Sequence, residues 1–138
     1  MLANGAKLEY KSKTVVDFTK LNGLKEIPEI GVDPEKVENT DLDDTQKMYE
    51  MGIGDPGDIT YKFKYDNTSK DSPYRVLRAY EASGENLSFK ETLKDGTTTE
   101  FTGQVSVKRT GGGVNGVIEF DLNIALSSAF EITDPEIA

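Results

Sequence analysis

Ile118-Glu119-Phe120-Asp121-Leu122-Asn123-Ile124-Ala125-Leu126 is the longest strict alternation of apolar and polar residues in the chain. Successive side chains of a strand point to opposite faces, so Ile118, Phe120, Leu122, Ile124 and Leu126 share one side and Glu119, Asp121 and Asn123 the other. Such a segment is a half-buried strand, with a core beneath it and a polar surface above. The same period recurs in Ile59, Tyr61, Phe63 and Tyr65, interleaved with Thr60, Lys62 and Lys64. It recurs again in Leu87, Phe89 and Leu93, and in Phe101, Gly103, Val105 and Val107. Lys94-Asp95-Gly96-Thr97 between the last two runs predicts a tight type I′ hairpin at Asp95-Gly96, which would pair them antiparallel.

One segment has a different period. Ser72-Pro73 is a helix opening, with a capping hydroxyl and a proline tolerated in the first turn. Tyr74, Leu77 and Tyr80, with Val76 and Ala79, then lie along one side, and Gly84 supplies a stop. Arg75, Arg78 and Glu81 are expected to face water or a partner. The fold class is therefore mainly β: a two-sheet β-sandwich or open barrel with one packed helix over about 72–83.

Outside these runs the chain is polar. Residues 1–20 offer only Val15, Val16 and Phe18 as a short strand and are expected to form a mobile N-terminal arm; 127–138 are expected to form a C-terminal one. The β domain lies between, at 21–126. It contains Leu24–Ile30 and Lys36–Asn39 as short strands broken by Pro28, Gly31 and Pro34, then a long acidic loop over 40–57. Charge concentrates there: residues 26–58 hold eleven acids against Lys36 and Lys47, which equals the whole chain's net charge of −9. Met48, Tyr49, Met51 and Ile53 are costly to leave in water. Together with Asp41, Leu42, Asp43 and Asp44 they are candidates for contact with another subunit, the alternative being a solvated loop or a β-hairpin folded over its own core.

The chain is 138 residues long and has neither cysteine nor histidine. That removes disulfides, thiolate metal sites, the commonest zinc ligands and the usual nucleophile–base pairs. The acidic run 41–44 lacks the alternating ligands, glycine and distal glutamate of a calcium loop. Glu119 and Asp121 sit two apart as a glycosidase pair might, without tryptophan to receive a sugar. The run Gly111–Gly116 lacks the lysine and helix of a phosphate loop. Lys62 and Lys64 are too small a basic patch for nucleic-acid binding at this net charge. No catalytic residue, cofactor or metal is expected, and the chain is expected not to be an enzyme. No stretch has the length of a membrane span or a signal peptide, so no membrane partner is expected and the two Asn-X-Ser sequons, at Asn67 and Asn86, have no glycosylation role.

Pro28-Glu29-Ile30-Gly31, Pro34-Glu35-Lys36-Val37-Glu38, Thr40-Asp41-Leu42-Asp43-Asp44, Gly57–Asp66 and Gly111–Phe120, in that order and spacing, resemble the major tail protein, or tail tube, family of long-tailed bacteriophages. The similarity runs from about Leu24 to Leu126. It implies self-assembly into hexameric rings whose sheets join in a continuous barrel, stacked in a virion tube assembled in the host bacterial cytoplasm. The partners implied are other copies of the chain, a tape measure protein, and tail tip and terminator proteins. DNA would pass through without specific binding. Acids repel phosphate and release no counterions, which makes Glu119, Asp121 and Asn123 candidates for a negatively charged lumen face. The alternatives are a tube protein like that of type VI secretion and a monomeric β-sandwich binding module.

Overall fold

The computed structural model describes residues 1–31, 33–38, 40–43, 46, 49–55 and 58–136, with side chains left undescribed at 33–37 and 49–55. Among the described residues, ten strands and one helix follow in chain order: β1 (Lys7–Lys11), β2 (Thr19–Leu21), β3 (Leu24–Glu26), β4 (Asp33–Glu38), β5 (Tyr49–Asp55), β6 (Asp58–Lys64), α1 (Pro73–Ser83), β7 (Leu87–Thr92), β8 (Thr98–Thr110), β9 (Glu119–Leu126) and β10 (Glu131–Thr133). The fold is mainly β. One antiparallel eight-stranded sheet runs β2-β1-β7-β8-β9-β6-β3, with β10 also on β8, while β4 and β5 form a separate two-stranded sheet.

The alternations read from the sequence occupy the middle of this sheet. In β6, Ile59, Tyr61 and Phe63 are buried, as are Phe120, Leu122 and Ile124 of β9 and Leu87 and Phe89 of β7. Register sets like against like: Tyr61 opposes Leu122, Phe63 opposes Phe120, and Phe89 opposes Phe101. The Phe63 and Phe120 rings stack at 5.3 Å. Each such side chain removed from water contributes roughly 1.5–3 kcal/mol before ordering costs.

β8 joins the two halves of the sheet. Residues 98–103 pair with β7 and 103–110 with β9, so Gly103 opposes both Leu87 and Leu126. A Cβ at Gly103 would stand 2.5 Å from the Ala125 carbonyl oxygen, which is why this position has no side chain. Beyond Gly103 the edge that β7 leaves is covered by α1. The Glu81 carboxylate accepts a hydrogen bond from the Val107 amide at 3.3 Å, and the Gln104 amide nitrogen donates to the Gly84 carbonyl at 3.0 Å. Glu81 is exposed and at the same time holds β8 through this bond.

The sheet is not closed, yet its two terminal strands are consecutive in the chain. Only Asn22 and Gly23 separate β2 from β3, and the Gly23 carbonyl accepts from the Lys64 amide at 2.8 Å. The sheet thus folds back on itself. Tyr61 on β6 reaches Glu91 on β7 directly, across a shared core. Helix α1 fills the gap beside it: Leu77 is fully buried, Tyr74 packs on Phe120 at 5.4 Å, and Tyr80 meets Tyr10 at 5.9 Å.

Several expectations change. Residues 1–20, read as an arm, contain β1, whose Leu8 and Tyr10 belong to the core. Five residues are too few to announce a strand, and this one is specified by its partners, the distant β7 on one side and the neighbouring β2 on the other. The part that follows is tethered as well: the Ser12 and Tyr80 hydroxyls are 3.0 Å apart, and the Lys11 ammonium lies 4.8 Å from the Phe18 ring centre. In the expected C-terminal arm, β10 pairs with β8 and the Phe130 ring packs on Phe101 at 5.7 Å. The long loop over 40–57 is shortened because 49–55 form β5, opposite β4.

At finer scale, Ser72 does not cap α1; its hydroxyl accepts from the Ser69 amide at 3.1 Å. The β7–β8 turn is not type I′. Gly96 alone has positive φ, and the Gly96 and Leu93 amides bond to the Leu93 and Thr97 carbonyls, a three-residue turn with a glycine bulge. Ile118 lies outside β9, which begins at Glu119 where pairing with Lys64 and Thr110 begins, and is 47% exposed instead of buried.

Candidate assembly surfaces

Glu119, Asp121 and Asn123 share the face of β9 opposite the core, as their spacing requires, and all three are half-buried. Neighbouring strands add Thr60, Lys62 and Lys64 from β6, and Ser106, Lys108 and Thr110 from β8. The Lys25 ammonium lies 2.9 Å from Glu119, and the Lys62 ammonium 3.7 Å from Asp121. Thr60 donates its hydroxyl to the Asn123 side-chain oxygen at 2.6 Å. The hydrogen bond from Lys25 holds the Glu119 carboxyl below the usual carboxylate range, against a smaller opposing effect of desolvation. Asp121 Oδ1 is buried without a hydrogen bond and has only the longer charge contact with Lys62. The acids thus stand on one surface, but paired with lysines. It is a mixed-charge face.

The inter-subunit candidates fall on the β4–β5 hairpin and its connection. Asp41, Leu42 and Asp43 lie in the connection and are exposed, Leu42 fully. The Asp41 carboxylate accepts from the Asp43 amide at 2.9 Å, folding the connection locally. Tyr49, Met51 and Ile53 belong to β5. Asp44 and Met48 lie outside the described residues. The ladder makes this hairpin a sheet of its own, rooted at Asp33 opposite Asp55. Six strand residues at about 3.3 Å each carry its acidic end some 20 Å from the root.

Two further features were not anticipated. Beside α1 lies a groove of about 900 Å³ in which Val76, Ala79 and Tyr80 meet Lys13, Lys70 and Arg75. Glu85 is the acid that also lines it. Lys13 is far in sequence from Lys70 and Arg75, so no local motif marks the whole groove; its signal in the sequence is Arg75 on the outward side of the helix. Arg75 is oriented by Asn67, whose side-chain and backbone oxygens accept from it at 2.8 and 3.1 Å.

The second feature is inside the core. Glu91, 3% exposed, accepts a hydrogen bond of 2.5 Å from the Tyr61 hydroxyl. Burial pushes the Glu91 carboxyl up, with the tyrosine's hydrogen bond opposing, and burial also pushes the Tyr61 hydroxyl up, reinforced by the carboxylate. Among the described residues no group of three or more acidic side chains is arranged to hold a metal ion, and no helix is long and apolar enough to cross a membrane.

Against known proteins, a sequence profile described as "Phage tail tube, TTP, lambda-like" matches residues 1–110. The chain belongs to the lambda-like phage tail tube family. It is thus a structural tail tube subunit and not an enzyme. No curated protein matches the sequence. Solved structures share the fold at low identity. A chain of the anti-feeding prophage baseplate, six-fold symmetrised, superposes with a TM-score of 0.74 at 11% identity, covering 99% of this chain and 97% of that one. A chain of an empty gene transfer agent tail, refined with C6 symmetry, gives 0.71 at 21%, covering 96% and 99%. The SPP1 tail tube gives 0.66 at 14%, covering 100% and 81%. The fold of this tail tube subunit is accordingly one shared with tail and injection assemblies.

Proposed function

We propose that the chain builds a phage tail tube as stacked hexameric rings through which DNA leaves the particle. The observation that carries this reading is the separate acidic hairpin: in a tail tube family member, a two-stranded sheet outside the main ladder offers a neighbouring subunit both backbone and side chains. The six-fold symmetry stated for the baseplate and gene transfer agent structures supports hexamers. By the same family reading, its partners are further copies, a tape measure protein, and tail tip and terminator proteins, in a virion assembled in the host cytoplasm.

The face carrying Glu119, Asp121 and Asn123 is proposed to line the lumen. Its acids act there by occupying lysines: a Lys25 or Lys62 held by a carboxylate offers phosphate no free cation to exchange for counterions. The alternative is an injection-system tube, favoured by the 0.74 superposition on the anti-feeding prophage chain.

Replacing 33–55 with a short Gly/Ser linker tests the assembly reading. The large sheet does not include these strands, so the variant is expected to fold as a monomer with an unchanged core. Tubes should be absent by negative-stain microscopy at concentrations where the parent chain forms them. Normal tubes from the variant would refute the role of the hairpin.

A further inference from the structure

The hairpin end and the α1 groove are complementary in two independent respects. At the hairpin end a fully exposed leucine, Leu42, stands between Asp41 and Asp43, with Glu38 at the close of β4. In the groove an apolar strip of Val76, Ala79 and Tyr80 stands among Lys13, Lys70 and Arg75. An apolar side chain flanked by acids matches an apolar strip flanked by bases. The rest of the molecule sharpens the choice: residues 26–58 carry the whole net charge of −9 and the remainder is balanced, so this segment is repelled by its counterpart in a second copy and attracted where bases gather. A chain with this composition therefore supplies both halves of the contact.

We infer that the groove beside α1 receives the Asp41-Leu42-Asp43 end of the hairpin from a second copy of this chain, Leu42 packing on Val76, Ala79 and Tyr80, and the acids lying against Lys13, Lys70 and Arg75. This rests on the assembly reading above and names the surface that the hairpin meets. Burial of Leu42 supplies the non-directional part of the contact, and the charges fix its register and exclude the uncharged faces.

The chain has no cysteine, so disulfide trapping reads the contact directly. Leu42→Cys and Ala79→Cys are made in separate chains, both at exposed positions, mixed, assembled and treated with diamide. A covalent dimer on a non-reducing gel is expected from tubes and not from dilute monomer. Leu42→Cys mixed with Ile132→Cys, an exposed position on β10, should give none. Charge exchange supplies the second measurement: Lys13→Glu with Lys70→Glu, or Glu38→Lys with Asp43→Lys, should each lower pelletable tube about tenfold or more, and mixing the two variants should restore it. Tubes that form normally yet yield no Leu42–Ala79 crosslink, or charge variants that assemble unimpaired, would overturn the groove as the receiving surface while leaving assembly by the hairpin standing. Loss of association in the parent chain itself would overturn both.

Discussion

Glu91 occupies the phase of β7 that Leu87 and Phe89 use to face the core, and it lies opposite Leu8 of β1 and Thr99 of β8. A carboxyl among such neighbours is costly when charged, and the Tyr61 hydroxyl is the group that offsets the cost. Because burial raises its folded pKa above the unfolded value of about 4.3, the folded chain holds more protons between those two values. Glu91 therefore supports the fold below the unfolded value and loses that contribution as pH rises through the folded one. Glu91→Gln keeps an acceptor for Tyr61 and removes the titration. Its urea midpoint relative to the parent is expected to improve from pH 4 to pH 8, and parallel curves would contradict the assignment. Tyr61→Phe leaves the carboxyl without its donor and is expected to cost about 1–3 kcal/mol. A charged residue breaks the apolar alternation of Leu87, Phe89 and Leu93, so Glu91 carries no core signal in the sequence although 87, 89 and 91 share one face.

The elements legible in sequence were those whose own residues carry the signal. β6, β8, β9 and α1 each contain enough periodic apolar positions to be recognised alone. β1, β5 and β10 do not, since β1 and β10 have short alternations and β5 has glycines at positions 52 and 54; β1 and β10 lean on the distant β7 and β8, and β5 on the preceding strand β4. The same limit hid the groove, whose bases meet only after α1 docks. The three β9 candidates were correctly grouped on one face, but their lysine partners were invisible, because Lys25 reaches Glu119 only through the β3–β6 and β6–β9 pairings. Gly103 shows how one position can govern an element. Alanine there would drive a methyl group against the Ala125 carbonyl and the Ile124 side chain, at the residue where β8 changes partner. Gly103→Ala is expected to cost about 1–3 kcal/mol by chemical denaturation, with β7–β8 and β8–β9 amides exchanging faster together. Exchange increased at one of those pairings alone would show that β8 does not couple the two halves.

For the whole tail tube subunit, the lumen proposal predicts a consequence of freeing cations without adding any. Glu119→Gln with Asp121→Asn keeps the shape of the face but releases Lys25 and Lys62. Particles built from this variant should assemble and eject DNA more slowly at low salt, approaching the parent rate as salt rises. Equal rates at low salt would place this face elsewhere than the lumen. The way the sheet folds back also orders events during synthesis. β1 is made early, yet Leu8 and Tyr10 pair with residues 89–91, about 80 residues later, on the order of 4–16 s at ordinary elongation speeds. Until then the β2–β3 connection joins two strands whose places in the sheet are still unmade. The last long strand, β9, then pairs with both β6 and β8, so a nascent chain remains without its full sheet until nearly all of it has emerged, and premature joining of copies through half-made edges is the hazard its cellular handling must meet.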